Sequence, residues 1–254
     1  MIFAIGDIHG RYDLLTQALD AIAAHASGQE HEIVFLGDYV DRGPQSKQVL
    51  DKLIELSTQD NVTCLRGNHE QLMLEAYTLR TRSEVRFWQD NGGEMAIESY
   101  GGEVGWGKPN YWPLIPSAHI RWIENLPYVV EKAGRVFVHA GFRPHVPLTE
   151  QDANTMMWIR GLFLNSEAGF PDWPHIVHGH TPYEEGKQDG LPLVLSWRTN
   201  LDSEAFASGN LAVGVFNGNG GGPSAIICCQ ATGSSTVDAV NFPRHGTLRL
   251  ASIP

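Results

Sequence analysis

Residues 1–10 read MIFAIGDIHG, a short apolar run, Ile2 to Ile5, that stops at Gly-Asp-Ile-His-Gly. The same pattern recurs along the chain. Ile33 to Leu36 leads into GDYVDRG, Val62 to Leu65 into RGNHE, Val136 to Val138 into HAG, and Ile176 and Val177 into HGHT. Runs this short and continuously apolar, rich in β-branched and aromatic residues, read as strands buried on both faces. Between the first three of them lie helical spacings. Leu15, Leu19 and Ile22 fall at i, i+4, i+7, as do Leu72, Ala76 and Leu79, while Val49 with Leu53 and Leu50 with Ile54 are i, i+4 pairs. Strand, helix, strand at this spacing predicts βαβ units and a mainly parallel sheet. In such sheets ligands bind beyond the carboxyl ends of the strands, so the five polar clusters should converge in space.

The rest of the chain reads differently. Residues 80–127 hold Phe87, Trp88, Tyr100, Trp106, Tyr111, Trp112 and Trp122, with Gly and Pro dense from Gly101 to Pro113. That density predicts loops and turns rather than long elements. A loop-rich insertion here, partly covering the cleft and helping to select the leaving group, is the expectation. After Thr181 come strand-like runs at Leu191 to Ser196, Leu211 to Phe216, Ala225 to Cys229 and Val237 to Val240. These predict a second, mostly antiparallel sheet. No linker interrupts the chain, so residues 1–254 are expected to form one domain.

Composition narrows the function. The chain has 254 residues, 42% of them hydrophobic and 19% charged, ordinary values for a globular protein. Lys and Arg total 18 against 29 Asp and Glu, a formal charge of −11. Nucleic-acid backbones and anionic membrane surfaces call for a basic footprint, so neither is an expected partner. No apolar stretch approaches the ~18 residues of a membrane span. Cys64 stands alone and Cys228 and Cys229 are adjacent, without zinc spacing or a disulfide framework. Reduced thiols and a cytoplasmic location are expected.

The strand-end residues Asp7, His9, Asp38, Asp41, Asn68, His69, His139, His178 and His180 form a carboxylate, imidazole and amide set without thiolate. Such ligands suit manganese, iron or zinc. The set exceeds what one tetrahedral ion needs, which suggests two ions sharing a bridging carboxylate. Two ions ~3.5–4 Å apart clamp the oxygens of an in-line displacement and make hydroxide available near neutral pH. Arg42, directly after Asp41, and Arg160, in WIRG, offer guanidinium groups suited to bidentate phosphate binding. Together these features point to phosphoester hydrolysis. Any one Asp or Asn beside Gly at a strand end is ordinarily a turn former. Turn formation, however, does not require His at so many strand ends.

In this order GDIHG, GDYVDRG, RGNHE, HAG and HGHT resemble the successive signatures of the phosphoprotein phosphatase family of metallophosphoesterases, with 31 residues from Asp7 to Asp38 and 30 from Asp38 to Asn68. The Gly-His-Thr ending and the Ala of HAG look bacterial or phage-like. The resemblance implies a central β-sandwich flanked by helices, an αββα layering. It implies that Asp7, His9 and Asp38 hold a first metal and that Asp38, Asn68, His139 and His180 hold a second. Manganese is the expected ion, with iron or zinc as alternatives. Arg42, Asn68 and Arg160 would bind the substrate phosphate. His69 would protonate the leaving oxygen, with Asp41 orienting and charging it. The implied substrate is a phosphorylated protein, peptide or small phosphoester. Symmetrical diadenosine tetraphosphatases share much of this core and are the alternative, but Asp41 before Arg42 leans toward the phosphatase branch. A scaffold that has lost its chemistry is disfavoured, because every implied ligand and His69 are present. In HGHT only His180 matches a ligand, leaving His178 behind the site or merely packed. Arg66 and Asp202 are expected to be structural.

Overall fold

The computed structural model describes residues 1–105, 110–166, 170, 173–182 and 190–238. Its strands are β1 (Ile2–Ile5), β2 (Glu32–Phe35), β3 (Val62–Cys64), β4 (Val129–Lys132), β5 (Arg135–Val138), β6 (His175–His178), β7 (Leu193–Val194), β8 (Arg198–Asn200), β9 (Asn210–Phe216), β10 (Ala225–Gln230) and β11 (Gly233–Asp238). They form two sheets, ordered β11-β10-β9-β1-β2-β3 and β4-β5-β6-β8-β7. The first three strands pair in parallel, joined by α1 (Tyr12–Ala26) and α2 (Ser46–Leu56), as their apolar spacing predicts. β5, β6 and β8 are parallel in the second sheet.

The alternation of each strand explains the layers. Ile2 and Ala4 of β1 point between the sheets, where they meet Phe137 of β5 and Val177 of β6. Phe3 and Ile5 point the other way, onto Leu14, Leu15, Ala18 and Ile22 of α1 and Val49, Leu50 and Leu53 of α2. Val136, Val138 and Ile176 face outward onto Phe142, Met156 and Phe163, the latter two from α7 (Ala153–Trp158) and α8 (Gly161–Leu164). Both sheets are thus covered on both faces, the layering expected of strands without polar alternation.

Two expectations need correcting. Leu211 to Phe216 and Ala225 to Cys229 do not build a second sheet; as β9 and β10 they extend the first one, with Ile2 opposite Phe216 and Ile5 opposite Val213. The second sheet comes instead from β4 to β8. Segment 80–127 is also more helical than its Gly and Pro suggest. It holds α4 (Arg82–Trp88), a π-helical turn (Gln89–Gly93), α5 (Glu94–Ser99) and α6 (Ser117–Glu124). These helices carry their apolar residues Trp88, Ala96, Ile97, Ile120 and Ile123 into the helix-side core, and among the described residues between α5 and α6 the regular structure is the 3-10 turn Trp112–Leu114. Trp106, Ala239 and Val240 lie outside the described residues.

Candidate metal centre

β1, β2 and β3 of one sheet, and β5 and β6 of the other, end at a common edge. Asp7 and His9 follow β1, Asp38 and Asp41 follow β2, and Asn68 and His69 open α3 (Asn68–Leu79) after β3. His139 follows β5 and His180 follows β6. All of these side chains are buried. His9, Asp38, Asp41, Arg42 and His180 adopt positive φ, between 44° and 71°. Non-glycine residues in this region carry strain and persist only where their surroundings over-determine them.

Asp38 is the shared point. Its Oδ2 lies 3.5 Å from His9 Nε2 and 3.9 Å from His69 Nε2, while its Oδ1 lies 3.3 Å from His139 Nε2. Two converging groups result, His9–Asp38–His69 and Asp38–His139–His180, each with donor atoms within 4.8 Å of one another. Asn68 Oδ1, 2.9 Å from His139 Nε2, adjoins the second group. Asp7 belongs to neither. Its carboxylate accepts the backbone N–H of His180, 3.0 Å from Oδ2, and its charge acts on that of Asp38.

The imidazoles fit a cation. His9 Nδ1 donates to the carbonyl of Val40 at 2.8 Å and His139 Nδ1 to that of Leu36 at 2.9 Å. A carbonyl can only accept, so both rings are held with the Nε2 lone pair turned inward, the arrangement of metal-ligating histidine. His180 Nε2 is buried without a hydrogen-bond partner. Burial, then the neighbouring His139, pushes the His180 imidazole down to about 2, and burial likewise holds His9 and His139 below the usual range. All three imidazoles are therefore biased toward the neutral form, which offers a lone pair to a cation. Burial alone would raise Asp38, but the imidazoles around it, His139 first and then His69 and His9, attract its charge when protonated and hold its carboxyl far below the ordinary value. These atoms could hold one or two divalent ions.

The loop bearing Asp38 is fixed by Glu70, which sequence reasoning left without a role. Its carboxylate accepts the backbone N–H groups of Gly67, Asp38, Tyr39 and Val40 at 2.7–3.2 Å. Its place directly after His69 was the available signal.

His69 and Asp41 form a buried pair, Nδ1 to Oδ2 at 2.8 Å. Burial lowers the proton affinity of His69, but Asp38 and Asp41 outweigh it and the imidazole is raised above its ordinary value. Arg42 donates from Nη1 to His9 Nε2 at 2.9 Å, and its guanidinium lies 5.1 Å from the centre of the Phe206 ring. Arg160 is exposed, with Nη1 donating to Thr181 Oγ1 at 2.8 Å and to the His180 carbonyl at 3.4 Å. It therefore borders the second group rather than facing away from it. His178 is fully buried, receives Arg198 Nη1 at 2.9 Å and joins neither group. Arg66 donates to Gln71, the Tyr128 hydroxyl and the Glu124 carbonyl, a packing role. Asp202, read as structural, is buried, with its carboxyl raised to about 7 by burial and by Asp38.

Two packed sheets flanked by helices, with a shared carboxylate, inward imidazole lone pairs and a carboxylate-paired imidazole at one edge, define a metal-dependent phosphoesterase. The chain belongs to the calcineurin-like phosphoesterase family, whose profile matches residues 1–212. It is 27% identical over 194 residues to serine/threonine-protein phosphatase 1 of Salmonella typhimurium (strain LT2), covering 71% of this chain and 78% of that protein. It is equally 27% identical, over 229 residues, to an asymmetrical bis(5'-nucleosyl)-tetraphosphatase of Anoxybacillus flavithermus, covering 82% of this chain and 86% of the other. In fold it is similar to the cold-active protein-tyrosine phosphatase of a psychrophilic Shewanella, with a TM-score of 0.60 and 21% identity over 92% of this chain and 79% of that one. Among the described residues no helix is long and apolar enough to cross a membrane.

Proposed function

We propose that the protein is a phosphomonoester hydrolase of the bacterial phosphoprotein phosphatase type, acting on phosphoserine, phosphothreonine or phosphotyrosine. The observation that carries this reading is the buried His69–Asp41 pair. An alkyl alcohol is a poor leaving group, so a serine or threonine ester gains much from a positioned proton donor, ~10²–10⁴-fold. The leaving nucleotide of a dinucleoside polyphosphate is already a stable anion and gains little. An imidazole whose proton affinity two neighbouring carboxylates raise against its burial suits the monoester.

The residues that would hold two ions are Asp7, His9 and Asp38 for one and Asp38, Asn68, His139 and His180 for the other, with Asp38 shared. When bound, such ions supply Lewis acidity and a deprotonated water at neutral pH; manganese is the expected metal. The protein's own residues do the rest. Arg42 and Arg160 offer N–H donors to the phosphoryl oxygens, and α3 points its positive N-terminal end into the site at Asn68. As the P–O bond breaks, its electron pair leaves with the ester oxygen. That oxygen takes the Nε2 proton of His69, whose Nδ1–H stays hydrogen-bonded to Asp41. Water takes the phosphoryl group, and the products are the alcohol and inorganic phosphate. The three free, buried cysteines support a reducing, cytoplasmic setting.

The test is turnover with added manganese on phosphopeptides of all three hydroxyl types and on diadenosine tetraphosphate. Faster turnover of a phosphopeptide, abolished by EDTA and lowered ~10²–10⁴-fold in His69→Asn, is expected. A preference for the dinucleotide would overturn the assignment.

A further inference from the structure

Trp88 ends α4 with its side chain fully buried. Its indole Nε1–H donates to Asp41 Oδ1 at 2.9 Å, while Asp41 Oδ2 is the oxygen that holds His69. Each oxygen of the carboxylate thus has its own ring nitrogen. The adjoining π-helical turn grips the next residue, with the Gly92 carbonyl accepting the backbone N–H of Arg42 at 3.1 Å. Asp41 and Arg42 are both left-handed, at φ 71° and 65°, so their backbone needs such outside support.

The grip is itself tightly fitted. A Cβ on Gly93 would come within 2.6 Å of the Trp88 ring, and one on Gly92 within 2.8 Å of Arg42 Cγ. On its other side Trp88 stacks on Trp112, with centroids 6.1 Å apart and planes at 22°. Trp112 is in turn packed by Tyr77, Tyr111 and Arg80. A buried tryptophan needs only some acceptor for its N–H, and a backbone carbonyl would serve. The acceptor here is the free oxygen of the carboxylate that aims the proton donor. Without the indole that oxygen is buried and unsatisfied, and the carboxylate is free to turn about χ2 away from His69.

We infer that Trp88 is a positioning residue for proton donation, locking the rotamer of Asp41 so that His69 stays aimed at the leaving oxygen, and that segment 80–127 serves the reaction through this contact. The inference rests on the reading of His69 as the acid.

The experiment compares phenyl phosphate, a poor leaving group, with p-nitrophenyl phosphate, a good one, in Trp88→Phe, His69→Asn and the double variant, each manganese-loaded. Trp88→Phe should lose about tenfold in kcat on phenyl phosphate, with KM little changed, and no more than about a third of that factor on the nitrophenyl ester. Trp88→Phe should cost nothing further once His69 is Asn. Equal losses on both esters, or an undiminished loss in the His69→Asn background, would overturn the role of Trp88. Unchanged phenyl phosphate turnover in His69→Asn alone would instead remove the acid assignment beneath it. If Trp88→Phe does not fold, 3-benzothienylalanine placed at position 88 keeps the bicyclic shape and replaces only the N–H, and the same outcomes apply.

Discussion

The Asp7 carboxylate accepts the backbone N–H of His180, and so joins residues 173 positions apart at the edge where the two sheets meet. Asp7 follows β1 of the first sheet and His180 follows β6 of the second. The contact is close enough that the neighbouring residue, Gly179, has no room for a side chain. A Cβ there would lie 2.0 Å from Asp7 Oδ1.

Gly179→Ala must therefore displace the Asp7 carboxylate from the His180 N–H while leaving both residues in the sequence. The expected result is a folded protein that binds less manganese. Metal content by elemental analysis after dialysis should fall from about two ions per chain toward one, with circular dichroism unchanged. Full metal content in Gly179→Ala would show that this link is not needed to seat the ions.

Arg42 lies between His9 and Phe206, its guanidinium against the face of the half-buried ring. A cation held this way is pre-aimed, and anchoring is worth ~0.5–1 kcal/mol at a partly exposed site. Arg42→Ala should raise the inhibition constant of inorganic phosphate about 10- to 100-fold, the cost of losing charge-assisted hydrogen bonds. Phe206→Leu should raise it only about threefold. Phosphate inhibition equal to wild type in Arg42→Ala would take Arg42 out of the phosphate site.

The legible part of this protein is local. Each strand end carries its candidate site residues within five positions of an apolar run, so Asp7, His9, Asp38, Asn68, His69, His139 and His180 stand out in the sequence before any fold is known. Which strands pair was not legible. Leu211 to Phe216 is buried on both faces like β5, and nothing in its side chains distinguishes a place beside β1 from a place in the second sheet. Long-range contacts were hidden for the same reason. Trp88 meets Asp41 across 47 positions, and its aromatic character signals only burial. Arg135 likewise reads as a lone charge in a strand. In the fold its guanidinium is wrapped by the carbonyls of Ala133, Asn217, Gly218, Gly220 and Gly221.

Asp202 gives a prediction for metal removal. It lies buried close to Asp7, and after burial it is the main influence raising the Asp7 carboxyl, ahead of Asp38. Without cations, burial and the crowding of acidic groups hold both carboxyls above the ordinary range, so ionising either is costly. Asp202→Asn should thus raise the melting temperature of the EDTA-treated protein by about 2–4 °C, the equivalent of ~1 kcal/mol in a chain of this size. The same change should shrink the rise in melting temperature that manganese produces, because binding to the native state stabilises through the affinity it retains. Identical shifts with and without metal would mean that Asp202 does not sense the ions.

His175, at the start of β6, links acid sensitivity to the sheet rather than to the metals. It is buried, and its Nε2 is 2.8 Å from Thr199 Oγ1. Burial pushes the imidazole down to about 4 from 6.5. The unfolded chain therefore takes up this proton first as pH falls. The neutral ring's contribution is complete above about pH 6.5 and is lost progressively toward pH 4, below which both states are charged. At pH 4.5 the loss amounts to about 2–3 kcal/mol. Urea unfolding of the EDTA-treated protein at pH 7.5 and pH 4.5 isolates it. His175→Leu removes the proton site, so its stability should fall between those two pH values by about 2–3 kcal/mol less than that of wild type. The absolute cost of the substitution is common to both pH values and cancels in the difference. Equal acid losses in the two proteins would show that the native imidazole takes up its proton as readily as the unfolded one.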